Sequence, residues 1–103
     1  SYYWKLTKGR EYSGGTTSTT ATTYQECASE CITGKEITSN TYETTALSST
    51  CISFSFKSGS CKLSTSNTAA TSLDATAIIY RRLGTNIYTC GPIALVDSSV
   101  QTL

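Results

Sequence analysis

The sequence predicts a small α+β domain in which one short helix is tied to a β-hairpin by two disulfides. Two observations lead to this prediction. Four of the five cysteines lie between residues 27 and 61, and within that stretch the spacing of apolar residues changes from a helical period to a strand period. At 103 residues the chain is one domain of ordinary size with a modest core, which disulfides would supplement.

A short helix is predicted to begin after Thr23 and to end at Gly34. Thr23 and Glu26 form a capping box, in which the Thr23 hydroxyl accepts from the Glu26 backbone N–H and the Glu26 carboxylate accepts from the Thr23 N–H. Cys27 and Cys31 lie one turn apart on one face of this helix. Gly34 is a natural end, because glycine tolerates the left-handed conformation that closes many helices.

A hairpin is predicted after the helix. Apolar residues alternate with serines over residues 52–56, which indicates a strand with one buried face and one solvent-facing face. Ser53 and Ser55 are expected on the solvent-facing side. Residues 57–60 are polar and contain a glycine, so the chain should turn there into an antiparallel neighbour at residues 61–64.

Further strands are predicted on both sides of this stretch. An aromatic opening strand covers residues 2–6, a short strand covers 36–38, and the last strong strand covers 75–83. The last strand is apolar on both faces and is therefore expected in the middle of the sheet. It ends in Arg81 and Arg82, of which one is expected to be exposed and the other paired with a carboxylate such as Glu26, Glu30 or Asp74.

Several motifs occur together in the cysteine-rich stretch. They are a Cys-x3-Cys helix, a Cys-x-x-Phe-x-Phe strand, a polar turn with glycine, and a Cys-x-Leu strand, formed here by Cys27, Cys31, Cys51, Phe54, Phe56, residues 58–60, Cys61 and Leu63. With Tyr12, Ser13 and Gly14 upstream, this pattern resembles the PAN/apple domain family over roughly residues 10–82, and its separate parts agree with one another.

The resemblance implies a curved antiparallel sheet packed on one short helix, and binding of proteins or carbohydrates. It also implies nested disulfides, Cys27 with Cys61 and Cys31 with Cys51, whereas spacing alone leaves three connectivities open. A zinc site is the alternative use of these cysteines, but the chain has no histidine and no paired Cys-x2-Cys motif.

The end of the chain departs from the family pattern. We expect a PAN/apple-like domain over residues 1–90 and an extension over residues 91–103. Cys90 has no cysteine left to pair with, so it is free, bonded to another chain, or paired with a residue outside this sequence. Ile93 and Leu95 belong to a short apolar segment that tends to add to a sheet edge, its own or that of a neighbour.

Charge and composition exclude several classes of function. A net charge of +1 gives no strong general attraction to nucleic acid or to an anionic membrane. Apolar runs are far shorter than a bilayer requires, so no membrane insertion is expected. The lack of histidine removes the usual general base, and the chain carries no phosphate-binding or metal-binding loop motif. We expect no catalytic residue, no cofactor and no bound metal.

Candidate contact residues lie near both ends of the chain. Lys5, Lys8 and Arg10 form either a solvated face or a site for a sulfated or acidic sugar. Trp4 is either a core anchor or a ligand platform. The residues considered for binding or assembly are Tyr2, Tyr3, Trp4, Arg81, Arg82, Ile93 and Leu95.

Serine and threonine make up roughly a third of the chain, well above ordinary usage. Two explanations are open. A strand-rich fold favours threonine through its branched side chain, or the hydroxyls carry O-linked sugar. The densest run of possible acceptors is Thr16, Thr17, Ser18, Thr19, Thr20 and Thr22.

Two functions from different classes follow. Five cysteines and a first residue that is not an initiator methionine indicate a processed chain in an oxidising compartment, secreted or on the extracellular surface. The first hypothesis is a recognition module for a glycan or an extracellular protein. The second is a structural subunit that assembles with copies of itself, head to tail, into a filament or matrix. In the second, the extension docks near residues 2–4 of an adjacent copy.

Overall fold

The computed structural model describes residues 2–37, 43–46, 51–66, 68–84 and 98–102. It confirms a small domain with one helix and an antiparallel sheet in this part of the chain. The elements are β1 (Tyr3–Tyr12), β2 (Thr16–Thr17), α1 (Tyr24–Thr33), β3 (Lys35–Ile37), β4 (Glu43–Ala46), β5 (Ser53–Lys57), β6 (Ser60–Ser64), β7 (Thr71–Gly84) and β8 (Ser98–Thr102).

The main sheet has the strand order β2-β6-β5-β7-β1-β8, and each neighbouring pair is antiparallel. Strands β3 and β4 form a separate two-stranded ribbon. β7 lies between β5 and β1, which confirms the central position predicted for the last strong strand. It is longer than predicted, because its first residues continue to pair with the end of β1, where Tyr12 lies opposite Thr71.

The helix begins and ends where the sequence predicted. The Glu26 N–H donates to the Thr23 hydroxyl over 3.2 Å, and the Thr23 N–H donates to the Glu26 carboxylate over 3.2 Å, so the capping box is complete. Gly34 closes the helix with φ of 74°, and its N–H donates to the Glu30 carbonyl over 2.8 Å. The two ends of α1 are therefore fixed by local sequence alone.

Two disulfides join α1 to the hairpin. Cys27 is bonded to Cys61 in β6, and Cys31 is bonded to Cys51 just before β5. The nested pairing that the family resemblance implies is confirmed. Because their sulfurs are bonded to each other, these four cysteines are not zinc ligands.

The core lies between α1 and one face of the sheet, and aromatic rings form its centre. The Phe54 ring stacks on the Tyr80 ring at 4.6 Å, and the Trp4 ring meets Phe54 edge-on at 5.1 Å. Trp4 is 0% exposed. Trp4 is therefore a core anchor and not a surface contact, because its side chain is buried in the core.

The opposite face of the hairpin is also covered, which corrects the expectation that Ser53 and Ser55 face solvent. Both serines are buried, at 0% and 1% exposure. The end of β1 folds across them: the Tyr12 hydroxyl is hydrogen-bonded to the Ser53 hydroxyl, and the Tyr12 N–H donates to the Ser55 hydroxyl over 3.1 Å. The small serine side chains leave room for the Tyr12 ring.

The C-terminal part of the chain contributes one described strand. β8 pairs with residues 3–7 of β1 in the same chain, so the last residues of the expected extension belong to the main sheet. Cys90, Ile93 and Leu95 lie outside the described residues, as does the boundary expected at residue 90. Among the residues that the structure describes, no helix has the length and apolar character to span a membrane.

Candidate functional site: a basic pocket on the sheet

A pocket of about 350 Å³ lies on the face of the sheet that points away from α1. Strands β1 and β7 supply its walls. Its lining combines three cations with hydroxyl groups and two larger side chains: Lys5, Thr7, Arg10, Tyr12, Thr71, Ile79 and Arg81. The volume falls within the usual range for small-ligand sites, roughly 300 to 1,000 Å³.

Two of the cations face each other across the strands. Lys5 lies opposite Arg81 in the β1–β7 register, and side chains at directly opposed positions of an antiparallel pair project from the same face. Like charges in this arrangement repel. Within the described part of the chain, none of the three pocket cations forms an ion pair.

Irregular pairing of β1 with β7 at Gly9 brings the third cation to the same face. Along a regular strand Lys5 and Thr7 share one face, and Arg10 would lie on the other. The register shifts from Lys8 opposite Ile78 to Arg10 opposite Leu73, and Gly9 takes a left-handed φ of 85°. Gly9 alone lies between these two paired positions in β1, whereas residues 74–77 lie between them in β7, so the extra residues belong to β7. The left-handed Gly9 reverses the alternation in β1, and irregular pairing of this kind is common beside binding sites. Arg10 therefore lines the pocket, while Lys8 is exposed elsewhere.

Tyr12, the buried residue of the lining, forms the floor of the pocket and is held by hydrogen bonds. The hydroxyl of the buried Tyr12 ring is hydrogen-bonded to the Ser53 hydroxyl, the Tyr12 backbone N–H donates to the Ser55 hydroxyl, and the Tyr12 backbone carbonyl accepts from Lys62 Nζ over 3.2 Å. Ile79 supplies apolar surface, and Thr7 and Thr71 supply hydroxyls that can both donate and accept hydrogen bonds. Cations, hydroxyls and a small apolar surface together suit a polar, negatively charged ligand.

The carboxylates near this end of the sheet are engaged by other cations. Lys57 Nζ lies 3.2 Å from Glu11 and 3.0 Å from Asp74, and Lys62 Nζ lies 3.6 Å from Glu11. The Thr76 hydroxyl and N–H donate to Asp74, and together with Lys57 they hold the pKa of Asp74 at about 2. Hydrogen bonds to Asp74 and Glu11 raise the pKa of Lys57. These acids therefore do not neutralise the pocket.

The structure separates the two arginines that close the last strong strand. Arg81 is exposed at the pocket, as expected for one of them. The other, Arg82, forms no ion pair with a carboxylate among the described residues and lies over the Tyr2 ring, 5.3 Å from its centroid. Asp74, one of the acids considered for that role, pairs with Lys57. Tyr3 is half-buried at the start of β1.

Most hydroxyls of the threonine-rich run, residues 16–22, donate hydrogen bonds to carboxylates. Ser18 is buried and donates to Glu30, so it is not an accessible acceptor for sugar. Thr20 also donates to Glu30, while the hydroxyls of Thr19 and Thr22 donate to the carboxylates of Glu36 and Glu26. The two residues of β2, Thr16 and Thr17, are exposed. Thr19 and Thr22 are exposed as well, and O-linked sugar on the threonines of this run stays a prediction.

Sequence reasoning found the three cations but missed the rest of the pocket. Thr7, Tyr12, Thr71 and Ile79 were not singled out as site residues, because their meeting depends on the pairing of β1 with β7. One signal was available, since an isolated glycine within a strand pattern commonly marks a bulge, and Gly9 is such a residue.

Comparisons with known proteins agree with this architecture. The family model described as PAN domain matches residues 3–86. No curated protein and no solved structure matches the chain. PAN domains mediate protein or carbohydrate interactions, are generally non-catalytic and are typically extracellular, and the two disulfides fit that environment. With four-fifths of its length matched and the helix, sheet and disulfides in place, the chain belongs to the PAN domain family.

Proposed function

We propose that this domain is a secreted recognition module whose basic pocket binds an anionic glycan, a sugar chain that carries sulfate or carboxylate groups. The observation that supports the proposal is the opposed pair Lys5 and Arg81, which has no carboxylate partner among the described residues. An anion placed between the two side chains would convert their repulsion into attraction.

The lining matches this ligand class in detail. The guanidinium group of an arginine presents paired donors that fit sulfate or carboxylate, whereas lysine contributes a compact point charge. Arg81 and Arg10 are exposed, so their guanidinium groups are accessible to a ligand. The hydroxyls of Thr7 and Thr71 can pair with sugar hydroxyls. With a net charge of only +1 on the whole chain, attraction to a polyanion would arise locally rather than from the protein as a whole.

Affinity chromatography on immobilised heparin, a sulfated polysaccharide, tests the proposal. We expect Lys5→Glu and Arg81→Glu each to elute at clearly lower salt than the parent, because each removes one cation and adds a carboxylate in the pocket. Lys8→Glu is the matched control, since it makes the same change in net charge at an exposed residue outside the pocket. Equal losses in all three variants would contradict a defined site, and so would retention on a neutral dextran matrix.

Self-assembly into an extracellular filament or matrix is the second candidate. It is favoured by the position of β8, a strand from the C-terminal end of the chain that adds to the β1 edge beside residues 2–4. Light scattering of the full chain and of a variant that lacks residues 91–103 tests it. Assembly predicts large particles that the truncation abolishes. A monodisperse monomer at high concentration would remove this candidate and leave the recognition module standing.

A further inference from the structure

The β1 edge holds a strand that the chain supplies from its other end. Tyr3 lies opposite Thr102, Lys5 opposite Val100, and Thr7 opposite Ser98. β8 has the sequence Ser-Ser-Val-Gln-Thr, with one apolar residue in five. The backbone hydrogen bonds of the β1–β8 ladder attach it to β1.

We propose that the β1 edge is a strand-acceptor site and that its second occupant is β8 of another copy of this chain. The inference rests on the self-assembly candidate and names the contact through which assembly would occur. Each copy carries both halves of the contact, an acceptor at residues 3–7 and a donor at residues 98–102.

The ladder is the same whether the donor strand comes from the same chain or from a neighbour. The difference between the two states lies in the connection between β7 and β8, residues 85–97. Thirteen residues can span at most about 45 Å, which is longer than the 38 Å largest extent of the described domain. The connection can therefore reach the β1 edge of an adjacent copy.

Concentration decides which state is populated. A short tether gives the chain's own β8 an effective concentration on the order of millimolar. Exchange between copies becomes competitive when the protein approaches that concentration. Reciprocal exchange gives a closed dimer, and one-way exchange gives an open chain of subunits.

Exchange would also make the basic pocket a composite site. Lys5 and Thr7 line the pocket and are the β1 residues opposite Val100 and Ser98. In an exchanged assembly, a neighbouring copy supplies the strand that borders these pocket residues. Because the ladder is the same in both states, the ligand would bind exchanged and unexchanged copies alike.

Cysteine cross-linking of full-length chains tests the proposal. In a Cys90→Ser background, Thr7→Cys and Ser98→Cys are introduced on separate chains, which are mixed, refolded together and oxidised at increasing concentration. A disulfide-linked heterodimer on a non-reducing gel is expected, with a yield that rises with concentration. Tyr3→Cys with Thr102→Cys is a second matched pair, in case the first disturbs folding. Tyr3→Cys with Ser98→Cys is the mismatched control, since these residues lie at opposite ends of the ladder.

The result that would overturn the proposal is equally specific. If the double variant Thr7→Cys/Ser98→Cys closes its disulfide within one chain while neither matched mixture forms a heterodimer, β8 is not exchanged. If light scattering of the same samples then shows large particles, the assembly candidate survives through another surface and the strand-acceptor proposal alone fails. Heterodimer from the mismatched control at the same yield also overturns the assigned register.

Discussion

Lys5 lies directly opposite Arg81 across β1 and β7, and neither residue forms an ion pair with any carboxylate that the structure describes. Two like charges at opposed positions of an antiparallel pair cost stability. Elsewhere in the sheet the cations Lys57 and Lys62 are matched with acids. The domain therefore keeps an unfavourable pair at its pocket, which is the arrangement expected where an anionic ligand supplies the missing charge.

The first prediction follows from that cost. Lys5→Thr should increase the free energy of unfolding by roughly 0.2 to 1 kcal/mol at low ionic strength, because it removes the repulsion and places a strand-favouring residue in β1. The same variant should bind heparin more weakly. Urea unfolding with and without added salt checks the first effect. Lys8→Thr is the control: it should show only the part of the gain that comes from strand propensity, without the salt-dependent part, and should leave binding close to that of the parent. Loss of stability in Lys5→Thr would show that the lysine is structural.

The second prediction concerns the support of the pocket floor. Tyr12→Phe should lower the free energy of unfolding by roughly 1 to 2 kcal/mol, because it leaves the buried Ser53 hydroxyl without its partner. The double variant Tyr12→Phe/Ser53→Ala should recover most of that loss, since it removes both polar groups. A double-mutant cycle by chemical denaturation measures the coupling. Additive losses would show that the two hydroxyls do not stabilise each other.

The third prediction is a pH dependence that arises from Asp74. Its pKa is lowered from 3.8 to about 2 in the folded domain, chiefly by hydrogen bonds from Thr76 and then by Lys57. A group whose pKa is lower in the folded state contributes stability above its unfolded pKa and loses that contribution as the pH falls through its folded pKa. Stability should thus fall between about pH 4 and about pH 2.

Asp74→Asn should flatten the acid limb of a plot of unfolding free energy against pH, because its loss of stability relative to the parent is largest near pH 7 and smallest near pH 2. Thr76→Ala should flatten it in part, because it removes the hydroxyl that contributes most to the pKa shift. Ser72→Ala is a suitable control, since Ser72 is an exposed residue in the same strand. An acid limb with the parental slope in Asp74→Asn would assign the pH dependence to another group.

The fourth prediction compares the two disulfides. They close loops with sequence separations of 34 and 20 residues, and in the chain-entropy model each contributes roughly 3 to 4 kcal/mol, the longer loop slightly more. Replacing both members of either pair by alanine should therefore lower the thermal midpoint by many degrees, with the larger fall for Cys27→Ala/Cys61→Ala. A larger fall for the shorter loop would indicate that packing around Cys31 and Cys51 outweighs loop closure.

The elements that local sequence specifies were predictable. The capping box at Thr23, the glycine at the end of α1 and the alternation of Phe54 with serines each depend on neighbours within a few residues. The disulfide pairing was correct through the family resemblance and was not determined by spacing. These predictions agree because short-range physics and the fold favour the same conformation.

The predictions that were wrong concern features that depend on segments distant in sequence. Ser53 and Ser55 are buried because Tyr12, some forty residues earlier, folds over them. Arg82 contacts the Tyr2 ring and, among the described residues, pairs with no carboxylate, because β7 places it beside Tyr2. The pocket itself could not be predicted, since its cations come from two strands whose register shifts where Gly9 of β1 faces the extra residues of β7. Sequence suggests that a cationic cluster exists, and only strand pairing shows which of its members share a face.

Binding of an anionic glycan in the basic pocket is tested by mapping the ligand onto the protein backbone. A heparin-derived oligosaccharide is titrated into ¹⁵N-labelled protein while amide chemical shifts are followed. The largest shifts are expected at the residues that line the pocket on β1 and β7, namely Lys5, Thr7, Arg10, Ile79 and Arg81, and they should fade as salt is added. Shifts centred on α1, or a pattern that is unchanged by Lys5→Glu and Arg81→Glu, would contradict it.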